Sequence, residues 1–209
     1  MNRARVGIVW AVLGIAGFAG RGDAGGLQNP DPGINNLNVV VAYGDSITLG
    51  SQCDCPSYPT RMGTLTGKYL YNAGVGGSAA TRNINRTQTV IDQTRPAFMM
   101  ILYGINDVNA GVNIGSIASA LNQMIGICKQ NKVVPVLATY PEPVLGYAWS
   151  AYRVQLLNQN IRSLASSQAI RCVDLEAAFV ARTEFYESDG LHPNHLGTEL
   201  MALAFSDLF

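Results

Sequence analysis

Ser46 and His192 stand far apart in the chain, in two short polar segments, Gly44-Asp45-Ser46-Ile47-Thr48 and Asp189-Gly190-Leu191-His192. A serine hydroxyl is a weak nucleophile at neutral pH. It attacks a carbonyl when an imidazole takes its proton and a carboxylate holds that imidazole in the useful tautomer. The Asp-x-x-His spacing puts Asp189 and His192 on one short loop, so the carboxylate can reach the ring nitrogen opposite the one facing Ser46 without a second distant element. Ser46 follows the apolar run Val39-Val40-Val41-Ala42-Tyr43, which reads as a buried strand. A residue just past such a strand lies at the carboxyl edge of a sheet, where open α/β folds place their ligands. These residue types at these positions point to acyl transfer through a serine ester.

The elements that must position these groups follow from the apolar pattern. Runs at 39–43, 69–73, 97–103, 133–139 and 170–175 alternate with helix-length stretches, which predicts a five-stranded parallel sheet in a three-layer α/β/α sandwich with right-handed crossovers. Ile114, Ile117, Leu121, Ile125 and Cys128 mark one face of a helix over about 114–128, with Asn113 as its cap. A second helix is expected over about 150–167 with Val154, Leu157, Ile161 and Leu164 inward. A last one spans about 195–208 with Leu196, Leu200, Ala204 and Leu208 inward. Pro135 has no N–H to give an inner strand, so pairing there should begin after it.

Four short blocks recur in a fixed order: Gly44-Asp45-Ser46, Asn72-Ala73-Gly74-Val75-Gly76-Gly77, Gly104-Ile105-Asn106-Asp107, and Asp189-Gly190-Leu191-His192-Pro193. In these blocks the chain resembles the SGNH, or GDSL, family of serine esterases and lipases. The resemblance implies a flavodoxin-like hydrolase fold and a Ser46-His192-Asp189 triad. It also implies an oxyanion hole made of the Ser46 N–H, the Gly77 N–H and the Asn106 side-chain amide, with no cofactor and no metal. Such donors are worth about 3–4 kcal/mol each where negative charge develops. Two adjacent glycines leave Gly76 as the alternative to Gly77. Family members include short-chain esterases, lysophospholipases, thioesterases and carbohydrate deacetylases. The absence of a long apolar insertion favours short-chain acyl or acetyl esters over lipids here.

Each residue also has a blander reading. Ser46 could cap a helix, the glycines could be turn residues, and Asn106 and Asp107 could close an Asx turn; Asp107 is assigned no chemistry. His195 reads as a surface residue in the first turn of the last helix. Gly74-Val75-Gly76-Gly77-Ser78-Ala79 begins a dinucleotide fingerprint, but the acidic residue that should end a second strand is missing. A metal set of His192, His195 and Glu199 is thin. The G-x-S-x-G elbow is absent, which argues against an ordinary α/β-hydrolase. Tyr147 and Trp149, in the segment Pro141–Tyr152, either line a substrate pocket or pack that segment onto the body.

At 209 residues with 48% hydrophobic content, the chain suits one domain, expected over residues 39–209. Residues 1–24 carry the marks of a secretory signal: Arg3 and Arg5, an apolar stretch from Val6 to Gly20, and small residues at Ala19 and Ala24. Cleavage after Ala24 would remove three of 14 basic and one of 14 acidic residues, leaving 11 against 13 and a net charge near −2. No basic patch calls for nucleic acid. The expected protein is a secreted or periplasmic monomer with no membrane span after cleavage and an extended lead-in over 25–38. An uncleaved signal anchor is the alternative. Four cysteines in an exported chain suggest disulfides, with Cys53–Cys55 and Cys128–Cys172 favoured over free thiols. A non-catalytic binding protein of the same fold and an acyltransferase using the same residues are the competing functions.

Overall fold

The computed structural model describes residues 31–209. The signal-sequence reading of residues 1–24, and the lead-in up to residue 30, lie outside the described residues. Five strands form one parallel sheet: β1 (Asn36–Gly44), β2 (Tyr69–Gly74), β3 (Pro96–Leu102), β4 (Val134–Ala138) and β5 (Arg171–Val173), in the order β2-β1-β3-β4-β5. The first connection runs outward from β1 to β2 and the later ones run the other way. Right-handed crossovers therefore place the connecting helices on opposite faces. Accordingly α2 (Tyr58–Thr66) packs on α8 (His195–Ser206), while α3 (Ile84–Thr94), α5 (Ile114–Gln130) and α6 (Ala151–Ser167) pack in sequence on the other side. Both faces of the central strands are covered. Val40–Tyr43, Met99–Leu102 and Val136–Ala138 are buried without alternation, as a doubly covered sheet requires.

Three further short helices complete the order: α1 (Ser46–Leu49), α4 (Ile105–Asn109) and α7 (Leu175–Phe179). Among the described residues, no helix is long and apolar enough to cross a membrane.

Several expectations are corrected in detail. β1 begins at Asn36, inside the expected lead-in. Its exposed polar start extends past the apolar core and pairs with Pro96, with a register irregularity before Val40. Pro135 lies within β4 in register with Met99, although the β5 ladder starts only at Val136. In α8 the buried residues are Gly197, Thr198, Met201, Ala202 and Phe205, whereas Leu196 is exposed. That helix is apolar almost all round, so periodicity could not choose its face. The choice is made by tertiary packing, in which Phe205 stacks on Tyr58 of α2 with ring centroids 5.1 Å apart.

Cys128 and Cys172 are not joined. The Cys128 sulfur sits 3.6 Å from the Met99 sulfur of β3, whereas Cys172 lies on β5, with β4 between those strands. Cys53 and Cys55 are bonded, with Cα atoms 5.1 Å apart.

Asp45, between β1 and α1, is fully buried. Its Oδ1 accepts from Ile47 N–H (2.9 Å) and its Oδ2 from the Tyr140 hydroxyl (2.6 Å). Burial raises its pKa from 3.8 to about 6, although the bonds from Tyr140 and Ile47 pull the other way. Among the described residues no salt bridge reaches it. A carboxyl whose folded pKa is raised binds protons more tightly when folded, so its contribution to stability falls as pH rises from about 4 to about 6 and stays low above that.

Two outcomes follow. Asp45→Asn, which cannot ionise, should gain stability relative to the native protein on going from pH 4.5 to pH 8, by at most about 2 kcal/mol. Denaturant melts of both proteins at the two pH values measure this, and an unchanged gap would contradict the assignment. Thiol titration of the denatured, unreduced protein should find the two sulfhydryls of Cys128 and Cys172, with Cys128 unreactive until unfolding.

Candidate active site

Parallel pairing sets Gly44, Gly74 and Leu102 level with one another at the carboxyl edge of the sheet. The loops that leave from this height carry Ser46, Gly77 and Asn106. Two close approaches explain the glycines at the exits. A Cβ on Gly44 would collide with Thr48 Oγ1 and come within 2.6 Å of the Leu102 carbonyl. One on Gly74 would lie 2.7 Å from Leu49 Cα, because α1 rests directly on the end of β2. Asn72 fastens that contact, donating from Nδ2 to the Thr48 carbonyl (2.9 Å) while its Oδ1 accepts from Gly74 N–H.

Ser46 opens the single turn α1 and is half-buried; Asp45, not Ser46, is the cap. The His192 ring lies between Ser46 and Asp189, with Nε2 3.0 Å from Ser46 Oγ and Nδ1 2.6 Å from Asp189 Oδ2. The other carboxylate oxygen, Oδ1, accepts from Leu191 N–H (2.8 Å) and His192 N–H (3.0 Å). Burial opposes ionisation of Asp189, but the bonds from His192 and from these two amides outweigh it and hold the carboxyl below its ordinary range. An ionised carboxylate only accepts, so the proton belongs on Nδ1, and Nε2 is left to accept from the Ser46 hydroxyl.

The loop bearing Asp189 and His192 supports itself. Glu187 N–H donates to the His192 carbonyl (2.8 Å), Gly190 N–H donates to the Glu187 carbonyl (2.9 Å), and Tyr186 bridges antiparallel to Pro193. Asn194 closes it, capping α8 through Oδ1 and donating from Nδ2 to the Glu184 and Tyr186 carbonyls. Gly190, at φ +79°, lies against Val144, where a Cβ would overlap the carbonyl oxygen. Val144 N–H in turn donates to the Gly190 carbonyl (2.8 Å). The segment after β4 is thereby fixed to the histidine loop.

Gly77 adopts φ +69° in an exposed turn in which Ser78 N–H donates to the Val75 carbonyl. Among the hydrogen bonds of the described residues, none uses the N–H of Ser46 or Gly77, so both donors remain unspent. Asn106 sits in α4 and donates one Nδ2 hydrogen to the Ser78 carbonyl (2.9 Å), which ties it to the Gly77 turn and leaves its second hydrogen free.

Asp107 does not form the expected Asx turn. It is fully buried, and its carboxylate accepts from Ala80 N–H (2.6 Å), Thr81 N–H (3.2 Å) and the Thr81 hydroxyl (2.6 Å). The third block is thus clasped to the segment that follows the second, Ser78–Thr81, by two adjacent side chains. Sequence reasoning missed this clasp and the Tyr140–Asp45 bond. The available signal was a charged residue beside a continuous apolar run, which needs a partner wherever it is buried.

His195 is exposed at the start of α8, apart from the relay. Of the two aromatics singled out, Tyr147 packs partly against the core, whereas Trp149 is 62% exposed, as are neighbouring Tyr152 (70%) and Leu145 (56%).

Comparison with known proteins agrees with this architecture. A family model described as the GDSL-like lipase/acylhydrolase family matches residues 42–200. A lipolytic protein of the G-D-S-L family from Desulfitobacterium hafniense is similar in fold, with a TM-score of 0.73 at 21% identity over 82% of this chain and 99% of the other. A lipase/acylhydrolase from Enterococcus faecalis gives 0.71 at 22% identity, over 81% of this chain and 94% of the other. An acetyl xylan esterase from Geobacillus stearothermophilus gives 0.69 at 20%, over 80% and 92%. An uncharacterized lipoprotein of Bacillus subtilis is 34% identical over 79 residues, 32% of this chain and 31% of that protein, so the matched stretch spans about a third of its length. With four motif blocks gathered at one sheet edge and a family match that covers most of the sequence, the chain belongs to the GDSL-like lipase/acylhydrolase family and is a carboxylic ester hydrolase.

Proposed function

We propose that the protein is an exported serine esterase acting on short-chain acyl or acetyl esters, with Ser46 as nucleophile, His192 as general base and acid, and Asp189 as the group that orients His192. The observation that carries this reading is the continuous relay from Ser46 Oγ through both ring nitrogens of His192 to Asp189. Ser46 Oγ attacks the ester carbonyl as His192 Nε2 accepts its proton, and the imidazolium formed is stabilised by the ionised Asp189. The tetrahedral oxyanion is received by Ser46 N–H, Gly77 N–H and the free Asn106 Nδ2 hydrogen. His192 then returns the proton to the leaving alcohol, and water repeats both steps on the acyl-enzyme.

Among the described residues the N–H groups of Gly76 and Gly77 are both unspent in the turn beside Asn106, and Gly77 is taken as the donor with Gly76 as the alternative. Leu145 lies against Gly190 of the histidine loop, and the exposed side chains of its segment, Leu145, Trp149 and Tyr152, are the surface assigned to the acyl or alcohol part of the substrate. Acetyl xylan esterase among the similar folds is consistent with a small acyl group. Export is supported by the basic and apolar N-terminus, by the Cys53–Cys55 bond, and by the similarity of a segment to a protein described as a lipoprotein.

Hydrolysis of p-nitrophenyl esters from acetate to palmitate tests the reading. The mature protein should turn over acetate and butyrate fastest. Ser46→Ala should lose at least about a thousandfold in kcat. Equal rates in the variant, or none in either protein, would overturn the serine mechanism on these substrates. Trp149→Ala should raise KM about three- to tenfold with kcat within about twofold, the size of one lost aromatic contact. An unchanged KM across acyl lengths and sugar acetates would remove Trp149 from the substrate surface.

A further inference from the structure

The buried carboxylate of Asp45 is unused in the reaction just described, yet it is held with care. Tyr140, two residues beyond the end of β4, reaches across the sheet edge to bond it at 2.6 Å. The Tyr140 backbone is itself clamped on both sides by one side chain: Asn158 of α6 accepts from Tyr140 N–H and donates to its carbonyl, both at 2.8 Å. Tyr140, Asn158 and Asp45 are all fully buried. The other titratable groups near Asp45 are Tyr58 of α2, Tyr103 just after β3, and His192. None of the three forms a hydrogen bond with the Asp45 carboxylate among the described residues.

Burying a carboxylate without an ion pair is costly, and a site that tolerates such a cost beside its reactive group exchanges stability for function. The carboxylate's bond from Ile47 N–H fixes the turn on which Ser46 sits. We infer that Asp45 and Tyr140 form a positioning pair: the tyrosine hydroxyl fixes the carboxylate that caps the nucleophile turn, so that Ser46 Oγ and Ser46 N–H keep the aim that acylation requires. The same tyrosine begins the segment that Val144 fastens to Gly190, so one buried bond links the turn of Ser46 to the loop of His192. The inference rests on Ser46 being the nucleophile.

The test uses the full mature protein and p-nitrophenyl acetate, with Ser46→Ala as baseline. Tyr140→Phe removes only the hydroxyl, and Asp45→Asn keeps an oxygen for Ile47 N–H but not the charge. Each should lose about tenfold to a hundredfold in kcat with KM within about twofold, because a small misplacement of a nucleophile is felt in the chemical step. Both should retain cooperative melting, with Asp45→Asn no less stable than the native protein at pH 8. Asp45→Ala, which loses the cap as well, should fall further than Asp45→Asn. Wild-type kcat in Tyr140→Phe and Asp45→Asn overturns the inference, as does a loss confined to KM. Full activity in Ser46→Ala would instead overturn the serine mechanism itself.

Discussion

The parallel register of β1 with its two neighbours is the constraint on which the site depends. Gly44, Gly74 and Leu102 lie at one height, so three loops depart from a common plane, and each needs only two to four residues to deliver its functional group. The close packing of α1 onto β2 is possible because the two exits carry no side chain. A register slip of one residue would turn each strand's buried side chains to the other face and separate the loops together. The fourth loop is exempt from the sheet's geometry. It follows β5 and is shaped by its own hydrogen bonds and by the Val144–Gly190 contact.

Given that plane, the site is preorganised by polar groups that are buried beneath it. Asp107 and Asn106 hold the Gly77 turn through Ala80, Thr81 and Ser78, and Asp45 holds the turn of Ser46. Oriented donors stabilise developing charge without having to reorganise, and among the described residues the N–H groups of Ser46 and Gly77 have no hydrogen-bond partner. The cost falls on Asp45, whose desolvation raises its pKa to about 6. Asp189 is in the contrasting environment: partly exposed and surrounded by donors, it stays ionised and keeps the Nδ1 proton in place. Two carboxyl groups near one imidazole are thus given different electrostatic characters by burial and hydrogen bonding.

Much of this was legible in the sequence because it is encoded locally. Continuous apolar runs mark strands covered on both faces, and Asp189 and His192 need only three residues to meet. What could not be read was set by distant partners. Asp107 bonds Ala80 and Thr81, 27 and 26 positions away, and nothing near Asp107 names them. Tyr140 looks like any core aromatic until Asp45, 95 positions earlier, is seen beneath its hydroxyl. The apolar surroundings of α8 left its buried face undecided until Phe205 met Tyr58. Cys128 and Cys172 share a chemistry but not a neighbourhood, since β4 intervenes. Local patterns therefore recovered the strands and the meeting of Ser46, His192 and Asp189, while the buried polar ties that fix them in place required the fold.

The central claim is that Ser46 is made reactive by His192, and covalent trapping tests it most directly. Exposure of the native protein to a fluorophosphonate, followed by peptide mapping, should place one adduct on Ser46, with labelling strongly slowed in His192→Ala under the same exposure. Adducts on another residue, or Ser46 labelling at an equal rate without the histidine, would contradict the account.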